Sequence, residues 1–202
     1  MKINVKYRLY GRSKGRGKKN TLSDQAKRII IKKIDLNKFN IIDVGVGYGE
    51  STIEIAKIDK NKNVVACEKY IDGINSIAKY NLEHGLTNIS IFNGNVNQFL
   101  DEYCPPNSIS EMFILFPDPW PKKRHFKRRL INENFFNKIK FHLKSSSLVH
   151  IASDSKTYIS SILLSVYNSR KDYKWINQQK ENWDYENSTM PKTKYFRKAL
   201  EK

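Results

Sequence analysis

Hydrophobic and polar positions along this 202-residue chain change period repeatedly. Short apolar, β-branched runs at residues 39–44, 63–67, 89–92, 111–116 and 147–152 have the length and composition of buried strands. After each of them apolar residues recur at helical spacing, near 50–58, 70–84, 96–103, 131–143 and 155–169. Strand and helix therefore take turns five times, with no internal repeat. This order predicts an α/β fold with a mostly parallel, twisted sheet and helices on both faces. Parallel neighbours need crossover helices, so the carboxyl ends of the strands share one side, and ligands collect in the crevice there. The residues just after each strand are where chemistry is expected.

Length fits one domain, expected over residues 34–202, with residues 1–33 as a basic N-terminal arm and lead-in helix. Charge sharpens that division. The chain carries 37 Lys and Arg against 20 Asp and Glu, a net charge of +17. Residues 1–33 hold 12 of the cations with Asp24 as their one acid, and residues 117–144 hold 9 against Asp118 and Glu133, which leaves the remainder close to neutral. A surplus concentrated in this way points to a polyanionic partner. The stretch from Gly11 to Lys19, glycine mixed with close-spaced cations, reads as a flexible arm. No apolar run approaches the length of a membrane span, and Met1 to Tyr10 lacks a signal-peptide core, so a nucleic acid is favoured over a membrane and a cytoplasmic location is expected. Cys67 and Cys104 stand alone, which excludes a disulfide scaffold or a zinc ribbon, and no metal is expected.

The first strand ends in Asp43-Val-Gly45-Val-Gly47-Tyr-Gly49. Alternate glycines permit a tight turn that a ligand can approach closely. An acid just before such a turn repels a pyrophosphate and suits an ammonium, so S-adenosylmethionine is a better electrostatic match than a dinucleotide. Glu68, closing the second strand, lies at the distance along a βαβ unit where a carboxylate accepts from a ribose diol. Asn95, after the third strand, sits where a polar group can contact adenine. Taken singly, Asp43 is equally readable as a cap of the next helix, Glu68 as a surface carboxylate and Asn95 as a turn residue.

The fourth strand runs into Phe116-Pro117-Asp118-Pro119-Trp120-Pro121-Lys122-Lys123-Arg124-His125-Phe126-Lys127-Arg128-Arg129. Each proline fixes its own φ and pushes the residue before it toward extended backbone, so Phe116, Asp118 and Trp120 are expected to be stiff and extended. A rigid loop presenting one carboxylate and one indole, followed by six cations, suits a base and its phosphates. His125, flanked by cations, is expected to resist protonation. This loop resembles, nearly letter for letter, that of the bacterial tRNA (guanine-N7-)-methyltransferases, a family with a Rossmann-like class I methyltransferase fold. Ala152-Ser153-Asp154 and Thr193-Lys194-Tyr195 resemble further motifs of the family, and the likeness runs from about residue 39 to 198.

The resemblance implies transfer of a methyl group from S-adenosylmethionine to N7 of a variable-loop guanine, guanine-46, in tRNA. It implies cofactor contacts by Asp43, Gly45, Gly47, Gly49, Glu68, Asn95 and Asp118, with Asp118 also catalytic. Lys122, Asp154, Thr193, Lys194, Tyr195 and Phe196 would bind substrate, and Arg124, His125, Phe126, Lys127, Arg128 and Arg129 the RNA. The chain departs from the family where Asp43 replaces the frequent Glu, Asn95 the usual Asp, and Phe196 an acid. Two alternatives stay open: a catalytically silent RNA-binding protein on the same scaffold, and a methyltransferase acting on an exocyclic base amine. Monomer and homodimer are equally compatible with the sequence.

Overall fold

In the computed structural model five strands, β1 (Phe39–Val44), β2 (Lys62–Glu68), β3 (Ile89–Asn93), β4 (Ile109–Leu115) and β5 (Leu143–Ala152), form one all-parallel sheet in the order β3-β2-β1-β4-β5. The described residues are Tyr7, Tyr10, 21–183, Ser188 and 190–201; the stretch expected to be a flexible arm, 11–19, lies outside them. The winding changes direction between β1 and β4, which opens a crevice at their carboxyl ends. Val64, Val65, Ala66 and Cys67 are buried in succession, as a strand covered on both faces requires.

Alternate strand residues feed two cores. On one face Ile41, Val64, Ala66 and Phe113 pack with α1 (Asp24–Arg28), α2 (Glu50–Ile58) and α3 (Ile71–Glu83) through Ala26, Ile55, Ile74 and Ile77. On the other, Ile42, Val65, Met112 and Ile114 meet α4 (Val96–Tyr103), α5 (Glu133–Ile139) and α6 (Lys156–Asn168) through Phe99, Leu100, Phe136, Tyr158 and Ile162. A last helix, α7 (Lys194–Leu200), returns to the amino end of α2, where Glu50 pairs with Arg197 at 3.3 Å and accepts from the Lys194 N–H. Among the described residues no helix is long and apolar enough to cross a membrane.

Two boundaries differ from expectation. The helix predicted over 131–143 covers only Glu133–Ile139, because the Asn132 side chain caps it by accepting the Phe135 N–H at 3.0 Å and the chain turns before β5. β5 in turn starts at Leu143, ahead of the predicted 147: its Ser145-Ser146-Ser147 stretch has no apolar alternation, and its register against β4 shifts between Ile109 and Glu111. The lead-in does more than precede the domain. Ile31 donates to the Ile91 carbonyl and Ile91 to that of Ile29, both at 2.8 Å, so the lead-in bridges to the outer edge of β3. Ile31 and Ile34 are buried in the core.

Candidate active site

The turn after β1 needs its glycines for conformation. Gly45 and Gly47 hold φ of 70° and 57°, in the left-handed region, and a Cβ on either would meet no atom within 4 Å, so the turn faces open space. Behind it the contact is tight: a Cβ on Gly73 of α3 would lie 1.9 Å from the Gly47 carbonyl oxygen. Glu68 ties the turn to β2. Its Oε2 accepts the Gly47 N–H at 2.8 Å while Oε1 accepts those of Lys69 and Tyr70 at 2.7 and 2.9 Å. A carboxylate has about four lone-pair sites, so Oε2 retains capacity for a ligand hydroxyl.

Asp43 is only 1% exposed, and its Oδ2 accepts from Ser51 Oγ at 2.6 Å and Thr52 Oγ1 at 2.7 Å. Burial raises its pKa to about 6 against the opposing effect of the two hydroxyls. The carboxylate thus braces the start of α2 and forms part of a side cavity of about 120 Å³, shared with Ser51, Thr193 and Tyr195. Asn95 caps α4 through Oδ1, which accepts the Asn97 N–H at 2.8 Å.

These elements converge on a cleft of about 1140 Å³ lined by Gly47, Glu68, Asn95 and Asp118, one from the end of each of β1 to β4. That exceeds the roughly 300–1,000 Å³ of common small-molecule sites, so the cleft has room for a nucleoside cofactor and a second planar group. Its donor set fits S-adenosylmethionine: a carboxylate for a diol, an amide for a base, and an open glycine turn. Gly45, Tyr48 and Tyr195 line both this cleft and the side cavity.

The proline loop corrects one expectation. Phe116 and Trp120, predicted to be extended, have φ of 51° and 44°. Left-handed backbone at a bulky residue costs on the order of 1–2 kcal/mol and needs surrounding structure to hold it. The Phe116 N–H donates to Ala152 of β5 at 2.8 Å. Arg129 grips the other side: its Nε donates to the Pro119 carbonyl at 2.8 Å, and its Nη atoms reach the Thr157 carbonyl and hydroxyl and the Ser161 hydroxyl of α6. It is 5% exposed, with the guanidinium over the Phe126 and Tyr158 rings. Expected to touch RNA, Arg129 instead has its donors engaged inside the protein.

The other cations differ. Lys122, Arg124 and Lys127 are exposed, the last two on a short 3-10 helix, Lys123–Arg128, together with exposed Phe126. Desolvation and then Arg128, Arg124, Lys122 and Lys127 hold His125 below the ordinary histidine pKa. Asp118 is exposed in the cleft, whereas Lys122 and exposed Asp154 line neither cavity. Thr193 is buried as the cap of α7, and exposed Lys194 and Tyr195 line the side cavity. Phe196, read as a substrate contact, is 6% exposed and lines neither cavity; its ring anchors α7 in the interior. Sequence reasoning passed over Tyr10, Tyr48, Lys69 and Tyr70, all of which line the cleft. Tyr48 lies inside the glycine turn and Lys69 and Tyr70 directly follow Glu68, so adjacency was an available signal for three of them.

A parallel sheet in this order, with a glycine turn after its first strand and a carboxylate after its second, defines a Rossmann-like fold of the methyltransferase type. Precorrin-6y C5,15-methyltransferase from Geobacter metallireducens shares that fold, with a TM-score of 0.52 and 13% identity over 71% of this chain and 66% of that one. The chain belongs to the family described as "Putative methyltransferase", which it matches over residues 37–202. It is similar to the tRNA (guanine-N(7)-)-methyltransferase of Streptomyces avermitilis, 37% identical over 61% of this chain and 42% of the relative. The protein of that name from Hydrogenovibrio crunogenus is 34% identical over 68% and 57%, and that from Nitrosomonas eutropha 40% over 58% and 53%. The matched stretch spans about half the length of these relatives.

Proposed function

We propose that this chain is a tRNA (guanine-N7-)-methyltransferase, using S-adenosylmethionine and acting on guanine-46 of the variable loop. The observation that carries the reading is the exposed Asp118 carboxylate lining the same cleft as Gly47, Glu68 and Asn95. The names of the relatives support the choice of reaction.

Bound S-adenosylmethionine supplies an electrophilic methyl group on a sulfonium. Glu68 would hold the ribose side and Asn95 the adenine side, and the turn from Gly45 to Gly49 would let the ligand lie against backbone. Guanine N7 has an in-plane lone pair and no proton, so the protein need not provide a base. What the chain provides is charge and alignment. Asp118 faces the purine as positive charge appears on it, which favours the transition state electrostatically. The same carboxylate accepts from guanine N1–H and the 2-amino group, a donor pair adenine lacks. The loop bracing by Arg129 and Ala152 keeps that carboxylate in place, as near-attack geometry demands. Exposed Arg124 and Lys127 take the RNA backbone.

Incubating the protein with labelled S-adenosylmethionine and tRNA lacking the modification, followed by nucleoside analysis, should yield 7-methylguanosine. Label on an exocyclic amine, or tRNA binding without transfer, would replace this reading with one of its rivals. Asp118→Ala should lower kcat by about 100-fold or more while the tRNA Kd moves much less.

A further inference from the structure

At the mouth of the cleft an N-terminal residue meets the proline loop. Tyr10 lies edge-on to Trp120, with ring centroids 5.9 Å apart at 72°. The Arg128 guanidinium sits over both rings, 4.9 Å from each centroid. Its Nε is buried without a hydrogen-bond partner, a costly position for a charged donor. The rings, then, and not hydrogen bonds at that nitrogen, hold this planar cation. Tyr10 is fixed through its carbonyl, which accepts from Lys69 Nζ at 2.8 Å, and Tyr7 donates to Asp101 at 2.7 Å. Burial holds the Lys69 ammonium below the usual lysine range against the opposing pull of Glu68 and then Asp118, and Tyr10, Lys69, Asp118 and Trp120 line the same cleft.

We propose that Tyr10 and Trp120 form a seat for a planar cation, occupied by the Arg128 guanidinium in the free protein and by the purine as methyl transfer makes it cationic. The inference rests on the guanine-N7 reading and extends it. Methyl transfer turns a neutral purine into a flat, delocalised cation, and electron-rich rings attract the second more than the first. Tyr10 and Trp120 therefore bind the base more tightly as the reaction proceeds. Arg128, once displaced, is free to satisfy its Nε on a phosphate oxygen of the same nucleotide.

The test uses the full chain with tryptophan fluorescence as readout, titrating 7-methylguanosine 5′-monophosphate against guanosine 5′-monophosphate. Wild type should prefer the methylated nucleotide by roughly 3- to 30-fold, the range spanned by one cation–π contact. Tyr10→Ala should abolish that preference and lower kcat on tRNA by a similar factor, with KM changing less than about 2-fold. Tyr10→Phe should recover most of the loss. If Tyr10→Ala does not fold, Tyr10→Leu, which keeps volume without a π face, replaces it. A preference that survives loss of the ring, or equal losses in kcat and tRNA affinity, would reduce Tyr10 to an anchor of the N-terminal segment. Absence of 7-methylguanosine from wild-type reactions would refute the parent reaction, while the nucleotide titration would still decide the seat.

Discussion

Asp43 binds a proton more tightly in the folded chain than in the unfolded one, since burial lifts its pKa from 3.8 to about 6. The stabilisation linked to that proton is complete below pH 3.8 and is lost as pH rises through about 6. At pH 7 the fold carries a buried carboxylate at a cost of roughly 3 kcal/mol, softened by nothing stronger than two hydroxyls. Asp43→Asn should therefore gain stability relative to wild type by roughly that amount between pH 4 and 7, measured as denaturant midpoints at both values. A difference that stays constant with pH would refute this. The acid was visible in the sequence, but its orientation was not. Ser51 and Thr52 become its neighbours only because the glycine turn folds α2 back over the end of β1.

At the scale of elements, the alternation of strand and helix was legible because burial on both faces gives each strand a continuous apolar run. What escaped was polar: the serine stretch of β5, and the left-handed Phe116 and Trp120, in a loop held by Ala152 of β5 and by the Arg129 side chain. The contact between α3 and the glycine turn escaped as well. A glycine inside a helix costs about 0.5–1 kcal/mol relative to alanine, yet Gly73 is the residue that admits the Gly47 carbonyl. Gly73→Ala should reverse the usual gain and destabilise the protein by about 1–3 kcal/mol. It should also weaken S-adenosylmethionine, because the displaced backbone is the floor of the cleft. Calorimetric titration alongside a thermal melt checks both, and an unchanged affinity would mean that the turn tolerates the shift.

At the scale of the whole molecule, the charge surplus includes, among the described residues, cations that face solvent, such as Arg124 and Lys127, and Arg129, which is buried. Neutralising Arg124 and Lys127 should flatten the log–log salt dependence of tRNA affinity by roughly 0.7–0.9 for each phosphate left without its cation. Arg129→Gln should leave that slope alone and lower stability instead, by about 2–4 kcal/mol, since its hydrogen bonds join the loop to α6. Composition showed the surplus, but it could not sort the two kinds, which differ only in what surrounds them. Nor could any local pattern bring Tyr10 beside Trp120, a pairing that exists once the N-terminal segment meets the loop after β4. Tyr195 reaches the same cleft from the opposite end. The sheet ends at residue 152 and its second core is filled only by Tyr158 and Ile162 of α6, whereas the last wall of the cleft comes from residue 195. A chain cut between α6 and α7 keeps the strands and both cores and loses one wall of the cleft.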